Sequence, residues 1–198
     1  MARIVAGATV SLDGYVQDAE GSSAALYADF DELVASAYLR ALQDATGAVI
    51  MGRRTFDLAP DPDGYAAGYE FQVPIFVVTH TAPPVEPARN ERLWITFVTD
   101  GVESAVRQAR EAAGERDVTF VGGADVFRQL LVAGLVDELA VEVMPVLLGG
   151  GVRLFDDGGP AATLEKVAVE EVGVRTALRY RVVPATEATT GSATTATV

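Results

Sequence analysis

Residues 2–10 form a run of small, apolar and β-branched side chains without polar alternation. That pattern suits a strand covered on both faces. Residues 11–25 carry Gly14, Gly21, Ser22 and Ser23 and are expected to be loop, turning first at Asp13-Gly14. From 29 to 45 the period changes. Phe30, Leu33, Val34, Ala37, Tyr38, Ala41 and Leu42 recur at helical spacing, and Asp29 stands where a cap belongs, so one helix is predicted. Apolar runs at 48–51, 73–79, 94–99 and 118–121 predict four strands, the first of them buried, and helices are expected at 53–58, 102–113 and 124–133. The Pro-, Gly- and Asp-rich stretches at 59–70 and 81–92 read as loops.

Beyond Gly134 the pattern turns to strands. Residues 138–143 are strand-like, and 164–172 and 174–183 alternate apolar with polar positions around Gly173, as a half-exposed antiparallel hairpin does. The expected fold is α/β, one domain over 1–184. Its central sheet is mostly parallel, with an antiparallel C-terminal hairpin at one edge. Residues 185–198, rich in Thr and Ala and without an aromatic ring, cannot offset their ordering entropy and are expected to be disordered.

Composition narrows the chemistry. The 198 residues contain 15 Lys and Arg against 28 Asp and Glu, a net charge of −13. Such a chain has no broad basic face for nucleic acid. The absence of cysteine excludes disulfides, thiolate nucleophiles and thiolate metal sites, and a single histidine, His80, excludes a multi-histidine metal site. No metal is expected. No apolar stretch approaches the roughly 18 residues of a membrane span, so a soluble cytoplasmic protein without membrane contact is the expectation.

Two strand-to-helix turns carry the candidate chemistry: Met51-Gly52-Arg53-Arg54-Thr55-Phe56 and Val121-Gly122-Gly123-Ala124. Glycine lets an anion approach the backbone, and the free amides of a helix start bind it. Arg53, Arg54 and Thr55 add charge and a hydroxyl to the first. Ordinary turns explain either motif alone equally well; two in one small α/β domain point to a nucleotide. Neither a P-loop nor the GxGxxG fingerprint is present. Thr79-His80 closes the strongest strand, where ligands of α/β sheets gather, and suits a 2′-phosphate better than a bare ribose.

With Ser11-Leu12-Asp13-Gly14-Tyr15-Val16 and the segment from Val136-Asp137-Glu138-Leu139 to the triple glycine 149–151 and Arg153-Leu154-Phe155, these motifs resemble the dihydrofolate reductase-like superfamily. The closer likeness is to the reductase domain of bacterial riboflavin biosynthesis and its stand-alone relatives, over residues 3–183. The resemblance implies a three-layer fold and NADPH. It implies that Gly52, Arg53, Arg54 and Thr55 bind cofactor phosphates. Thr79 and His80 would lie at the 2′-phosphate, and Gly122, Gly123 and Ala124 under the pyrophosphate. Ala6 and Leu12, with a lid loop to Val16, would border the nicotinamide. Two departures stand out. The folate enzymes' helical acid falls on Ser36, and no Lys or Arg lies between Ile4 and Leu39, where the riboflavin-pathway reductase holds a substrate phosphate.

Hydride transfer needs alignment and, where the acceptor gains a proton, an acid. Asp13, near the implied nicotinamide edge, and Glu142, in the apolar strand Ala140-Val141-Glu142-Val143-Met144, are the candidate catalytic residues. A structural Asp-Gly turn for the first, and a solvent-facing or an ion-paired strand residue for the second, are the bland counterparts. Tyr65, Tyr69 and Phe71 either cover a flat ring or close their own loop. The expected function is NADPH-dependent reduction of a small, pyrimidine- or pterin-like substrate. A nucleotide-binding protein without turnover, a flavin enzyme and a folate reductase with an atypical acid are the alternatives. The exposed β-rich end offers a homodimer surface.

Overall fold

The computed structural model describes residues 1–84, 86–155 and 161–183. The tail expected to be disordered, 185–198, lies outside the described residues. Ten strands are described: β1 Ile4–Ser11, β2 Tyr15–Gln17, β3 Thr46–Gly52, β4 Ile75–Val78, β5 Ile95–Val98, β6 Asp117–Phe120, β7 Glu138–Met144, β8 Val152–Arg153, β9 Thr163–Val172 and β10 Arg175–Val183. The helices are α1 Phe30–Ala35, α2 Ala37–Ala45, α3 Arg53–Phe56, α4 Gly64–Gly68, α5 Val102–Ala113 and α6 Ala124–Val132, with a 3-10 turn at Ala24–Tyr27. Eight strands form one sheet in the order β5-β4-β3-β6-β1-β7-β10-β9. Every pairing from β5 to β7 is parallel, and β10 runs antiparallel to both β7 and β9. The mostly parallel sheet with an antiparallel hairpin at its edge is as expected.

Alternation in the buried strands decides which layer each residue feeds. Ala48 and Ile50 of β3, Phe76 of β4, and Ile4 and Ala6 of β1 pack with α5 and α6 on one face. Val49 and Met51 of β3, with Ile75 and Val77 of β4, pack on the other face against Leu33, Leu39, Phe56 and Tyr65. Both faces are therefore apolar, which is why these strands read as unbroken hydrophobic runs. Thr46 and Thr119 are the polar exception between β3 and β6. Thr46 Oγ1 donates to Leu42 O at 2.7 Å and so accepts from Thr119 Oγ1, also at 2.7 Å. At the amino edge of the parallel strands, Arg3 joins Asp117 and Glu138 at 2.8 and 3.1 Å, and Arg110 joins Asp137 at 2.9 Å.

Four expectations need correction. The helix predicted over 29–45 is two helices. Ser36 is extended (φ −73°, ψ 152°), and its Oγ accepts the Leu39 N–H at 3.0 Å, ending α1 and capping α2. Asp29 makes no side-chain cap, because its carboxylate is engaged by Arg175. The loop over 11–25 contains β2, which pairs with β8, and the loop over 59–70 contains α4. The hairpin itself is half exposed, as expected: β9 has a neighbour on one side only and nearly all its residues are exposed, whereas most of β10 is buried or half-buried. Among the described residues no helix is long and apolar enough to cross a membrane.

The break between α1 and α2 rests on one hydroxyl. Ser36→Ala should lower stability by about 1 kcal/mol, read as a smaller urea midpoint at unchanged slope. An unchanged midpoint would show that packing alone sets the break.

Candidate active site

Parallel pairing of β3 with β6 places Ile50 beside Phe120, so the turns that follow emerge side by side. The Gly52 N–H donates to Gly122 O at 2.9 Å. Gly122 and Gly123 have φ of 140° and 106°, conformations that favour glycine. A Cβ on Gly122 would lie 3.0 Å from Thr55 Oγ1, and one on Gly123 would lie 3.2 Å from Gly52 Cα. Two stretches of bare backbone thus face each other, with the Thr55 hydroxyl against them, and α6 starts at Ala124.

The two adjacent arginines diverge. Arg53 Nε donates to both Asp57 carboxylate oxygens at 2.8 and 2.9 Å, its Nη1 to Thr81 O at 3.3 Å, and its guanidinium lies 6.0 Å from the Phe97 ring centroid. Thr79 Oγ1 donates to the same Thr81 O at 3.1 Å, and His80 between them is exposed. Arg54 points away, with its side chain 95% exposed and Nη1 3.9 Å from Asp125. Gly52, Arg53, Thr55, Gly122, Gly123 and Ala124 are therefore gathered with Thr79 and His80 along the carboxyl ends of β3, β6 and β4, and Arg54 sits at their margin. Ala6 is not part of the group. Its side chain is sealed in the core on the α5–α6 face.

Beside these turns lies a cleft of about 920 Å³. Gly7, Ala8 and Thr9 of β1 line it, with Thr55 and Val121 from the two turns. Thr55 belongs to both places. One wall is aromatic. Tyr65 stacks on Phe56 at 5.1 Å, Tyr69 meets Tyr65 edge-on at 4.9 Å, and Phe71 follows at 5.9 Å. The Tyr65 hydroxyl donates to Phe56 O at 3.2 Å. These rings both close their own loop and face the cleft. Glu70 lines the cleft next to this wall as an exposed residue, and partial desolvation raises its carboxyl above the usual value.

Glu142 also lines the cleft, and behind it lies a buried arginine that the sequence reading missed. The Arg175 side chain has no exposed surface. Its Nε donates to Asp29 Oδ2 at 2.9 Å, its Nη2 to Asp29 Oδ1 and to Leu26 O, and its Nη1 to Glu142 Oε2. Thr9 Oγ1 donates to the same Glu142 oxygen at 3.1 Å. Burial works against the charge of Arg175, but the bonds and charges of Asp29 and Glu142 outweigh it and hold the guanidinium above its usual range. The bond from Arg175 lowers Asp29. Burial and the Glu142 charge push the Tyr38 hydroxyl up, and it shares a hydrogen bond with that carboxylate. Of the two counterpart readings of Glu142, ion pairing is the one observed, at a position facing the cleft.

Asp13 is placed differently. Its carboxylate accepts Ser11 Oγ at 2.6 Å, Gly149 N at 2.8 Å and Leu148 N at 3.1 Å. The Ser11 hydroxyl first, then the two amides, lowers it from 3.8 to about 2. It is ionised at neutral pH and is a clasp, a poor proton donor. The loop it belongs to is held as well. Leu12 N–H donates to Val146 O at 2.8 Å while its side chain is 68% exposed, Leu154 N–H donates to Gly14 O at 3.1 Å, and the Arg153 guanidinium lies 4.6 Å from the Tyr15 ring centroid.

The profile of the RibD C-terminal domain family matches residues 2–178. Among curated proteins, the uncharacterized protein YyaP of Bacillus subtilis strain 168 is 26% identical over 164 residues, 78% of this chain and 81% of YyaP. The uncharacterized protein YwjB of the same strain is 24% identical over 86 residues, 43% of this chain and 49% of YwjB, so this match spans about half of that relative. Three solved structures share the fold. A putative riboflavin biosynthesis protein from Shewanella sp. PV-4 superposes with a TM-score of 0.70 at 22% identity, covering 93% of this chain and 100% of that one. The riboflavin biosynthesis reductase Rib7 of Saccharomyces cerevisiae gives 0.59 at 14%, covering 92% and 90%. The dihydrofolate reductase of Enterococcus faecalis, complexed with NADP(H), gives 0.57 at 19%, covering 91% and 96%.

Two outcomes test this geometry. Arg175→Met strands two carboxylates in the interior and should cost about 3–5 kcal/mol in urea unfolding; a loss below about 1 kcal/mol would mean that the pair is not sealed. The clasp at Asp13, whose folded value lies below its unfolded one, stabilises fully above about pH 4 and is lost as the pH falls toward 2. Hydrogen exchange at the Leu148 and Gly149 amides, corrected for intrinsic rates, should follow that curve and be fast at all pH in Asp13→Ala. Unaltered protection in that variant would remove the clasp.

Proposed function

The chain belongs to the RibD C-terminal domain family, and from that premise we propose that it is an NADPH-dependent reductase of a small heterocyclic compound. One observation carries the reading: a bare-backbone cradle, with a cation beside it, opens through Thr55 into an aromatic-walled cleft. The residues present fit the dinucleotide. Side chains at Gly122 and Gly123 would fill the cradle, and the donors around it suit anions.

Gly122, Gly123 and the amide of Ala124 would hold the pyrophosphate with the Thr55 hydroxyl. Arg53, Thr79 and His80 would hold the 2′-phosphate, with Arg53 exchanging Asp57 for it. Gly7 to Thr9 would border the ring in place of Ala6, with Leu12 at the rim. The nicotinamide, when bound, supplies a hydride. The chain's share is alignment and shelter. The aromatic wall excludes water from one side of the substrate, and Glu142, fixed by Arg175 and Thr9, offers an oriented acceptor. Ser36 is turned into a helix cap and Asp29 is sealed by Arg175, which tells against folate reduction through a helical acid.

Calorimetric titration with NADPH and NADH tests the reading. NADPH should bind more tightly. Arg53→Ala should weaken NADPH by roughly 10–100-fold, as for loss of a charge-assisted bond, and leave NADH nearly unchanged, with Arg54→Ala affecting both less. Binding of neither nucleotide would sink the proposal, and equal binding of both would sink the assignment of Arg53.

A further inference from the structure

The cleft is lined by Asp61, Glu70 and Glu142, and among the described residues by no Lys, Arg or His. The segments outside the described residues, 85, 156–160 and 184–198, contain none of these cations in their sequence. None of the fifteen Lys and Arg of the chain lines the cleft. Arg3, Arg110 and Arg179 pair with acids at the far edge of the sheet, and Arg53 stands at the glycine cradle. Arg175, which bonds the lining residue Glu142, is buried and bonded to two carboxylates and a carbonyl, so its donors are spent on protein acceptors and none is exposed to the cleft.

A phosphate entering such a cleft meets like charge and finds no partner for its oxygens. A flat ring with amino or ring N–H groups meets aromatic faces and fixed carboxylate acceptors. Resting on the reading of this cleft as the substrate site, we propose that the substrate is an unphosphorylated, neutral or cationic amino-heterocycle, with Glu142 and Glu70 as its specificity-determining acceptors. The two carboxylates differ in kind. Glu142 is held in place by Arg175, Thr9 and Tyr38, whereas no cation is paired with Glu70 among the described residues. Glu70, an exposed lining carboxylate, is therefore the acceptor open to an incoming N–H or cation.

The test is calorimetric titration of the full chain, with and without saturating NADPH, using pterin, the cationic aromatic amine proflavine and uridine monophosphate. Pterin and proflavine should bind with one-to-one saturation, and uridine monophosphate at least about tenfold more weakly. Glu142→Gln should weaken pterin and proflavine by about tenfold or more. Glu70→Gln should weaken proflavine more than pterin, and it keeps the test open if the Glu142 variant does not fold. Glu70→Lys should tighten uridine monophosphate. Failure of both amines to bind, equal or tighter binding of the phosphate, or indifference of the amines to both glutamine variants overturns the proposal. NADPH binding is read separately in the same titrations, so a cleft that binds amines in a protein that ignores NADPH would refute the reductase reading and leave this one standing.

Discussion

Parallel strands deliver their carboxyl-end turns to the same edge, and β3 and β6 are neighbours, so Gly52 and Gly122–Gly123 must share one small volume. Side chains at these positions would separate the turns or occupy the groove between them. Without them the backbones approach directly, Thr55 packs against Gly122, and the same threonine reaches the cleft. The position of the cradle relative to the cleft is thus a consequence of strand order. Everything proposed about cofactor and substrate depends on that junction.

The second organising element is the buried charge at Arg175. Removing a guanidinium from water costs several kcal/mol even after relaxation, so its two carboxylates and one carbonyl are required partners. Their origins matter more than their energy. Asp29 precedes α1, Glu142 lies mid-strand in β7, and Arg175 starts the antiparallel strand β10. One side chain therefore fixes the helical wall, the sheet and the edge hairpin to each other, and it presents Glu142 to the cleft in a single orientation. The exposed hairpin contributes to the site from behind through this residue.

What the sequence made legible follows from period and punctuation. The doubly buried strands, the boundaries of α5 and the glycine turns were readable because apolar runs and glycines after strands have local causes. The break at Ser36 was hidden because its neighbours keep helical spacing across it; only the serine itself signalled a cap. Arg175 was hidden because nothing local separates it from Arg179 and Arg181 on the same strand, which pair at partly or well exposed positions. Burial of one arginine among three is decided by which acids lie opposite, and Asp29 is 146 residues away. Asp29 itself read as a cap for the same reason. Asp13 and the triple glycine were each visible, but their contact across 136 residues was not.

That contact changes how the first loop works. A free lid would be tied at its ends only. Here Asp13 grips two amides of the glycine-rich segment, β2 pairs with β8, and a Cβ on Gly151 would lie 2.0 Å from Gln17 O. Only a glycine permits that approach, at a φ of 119°. The loop and the segment after β7 are therefore one body, and any opening beside Gly7–Thr9 must carry both. Such an opening would break several bonds together and release the Asp13 carboxylate, which already lies at the surface and is readily solvated. The cost falls on the backbone pairing more than on the charge, so any such opening would be cooperative across the loop and the glycine segment.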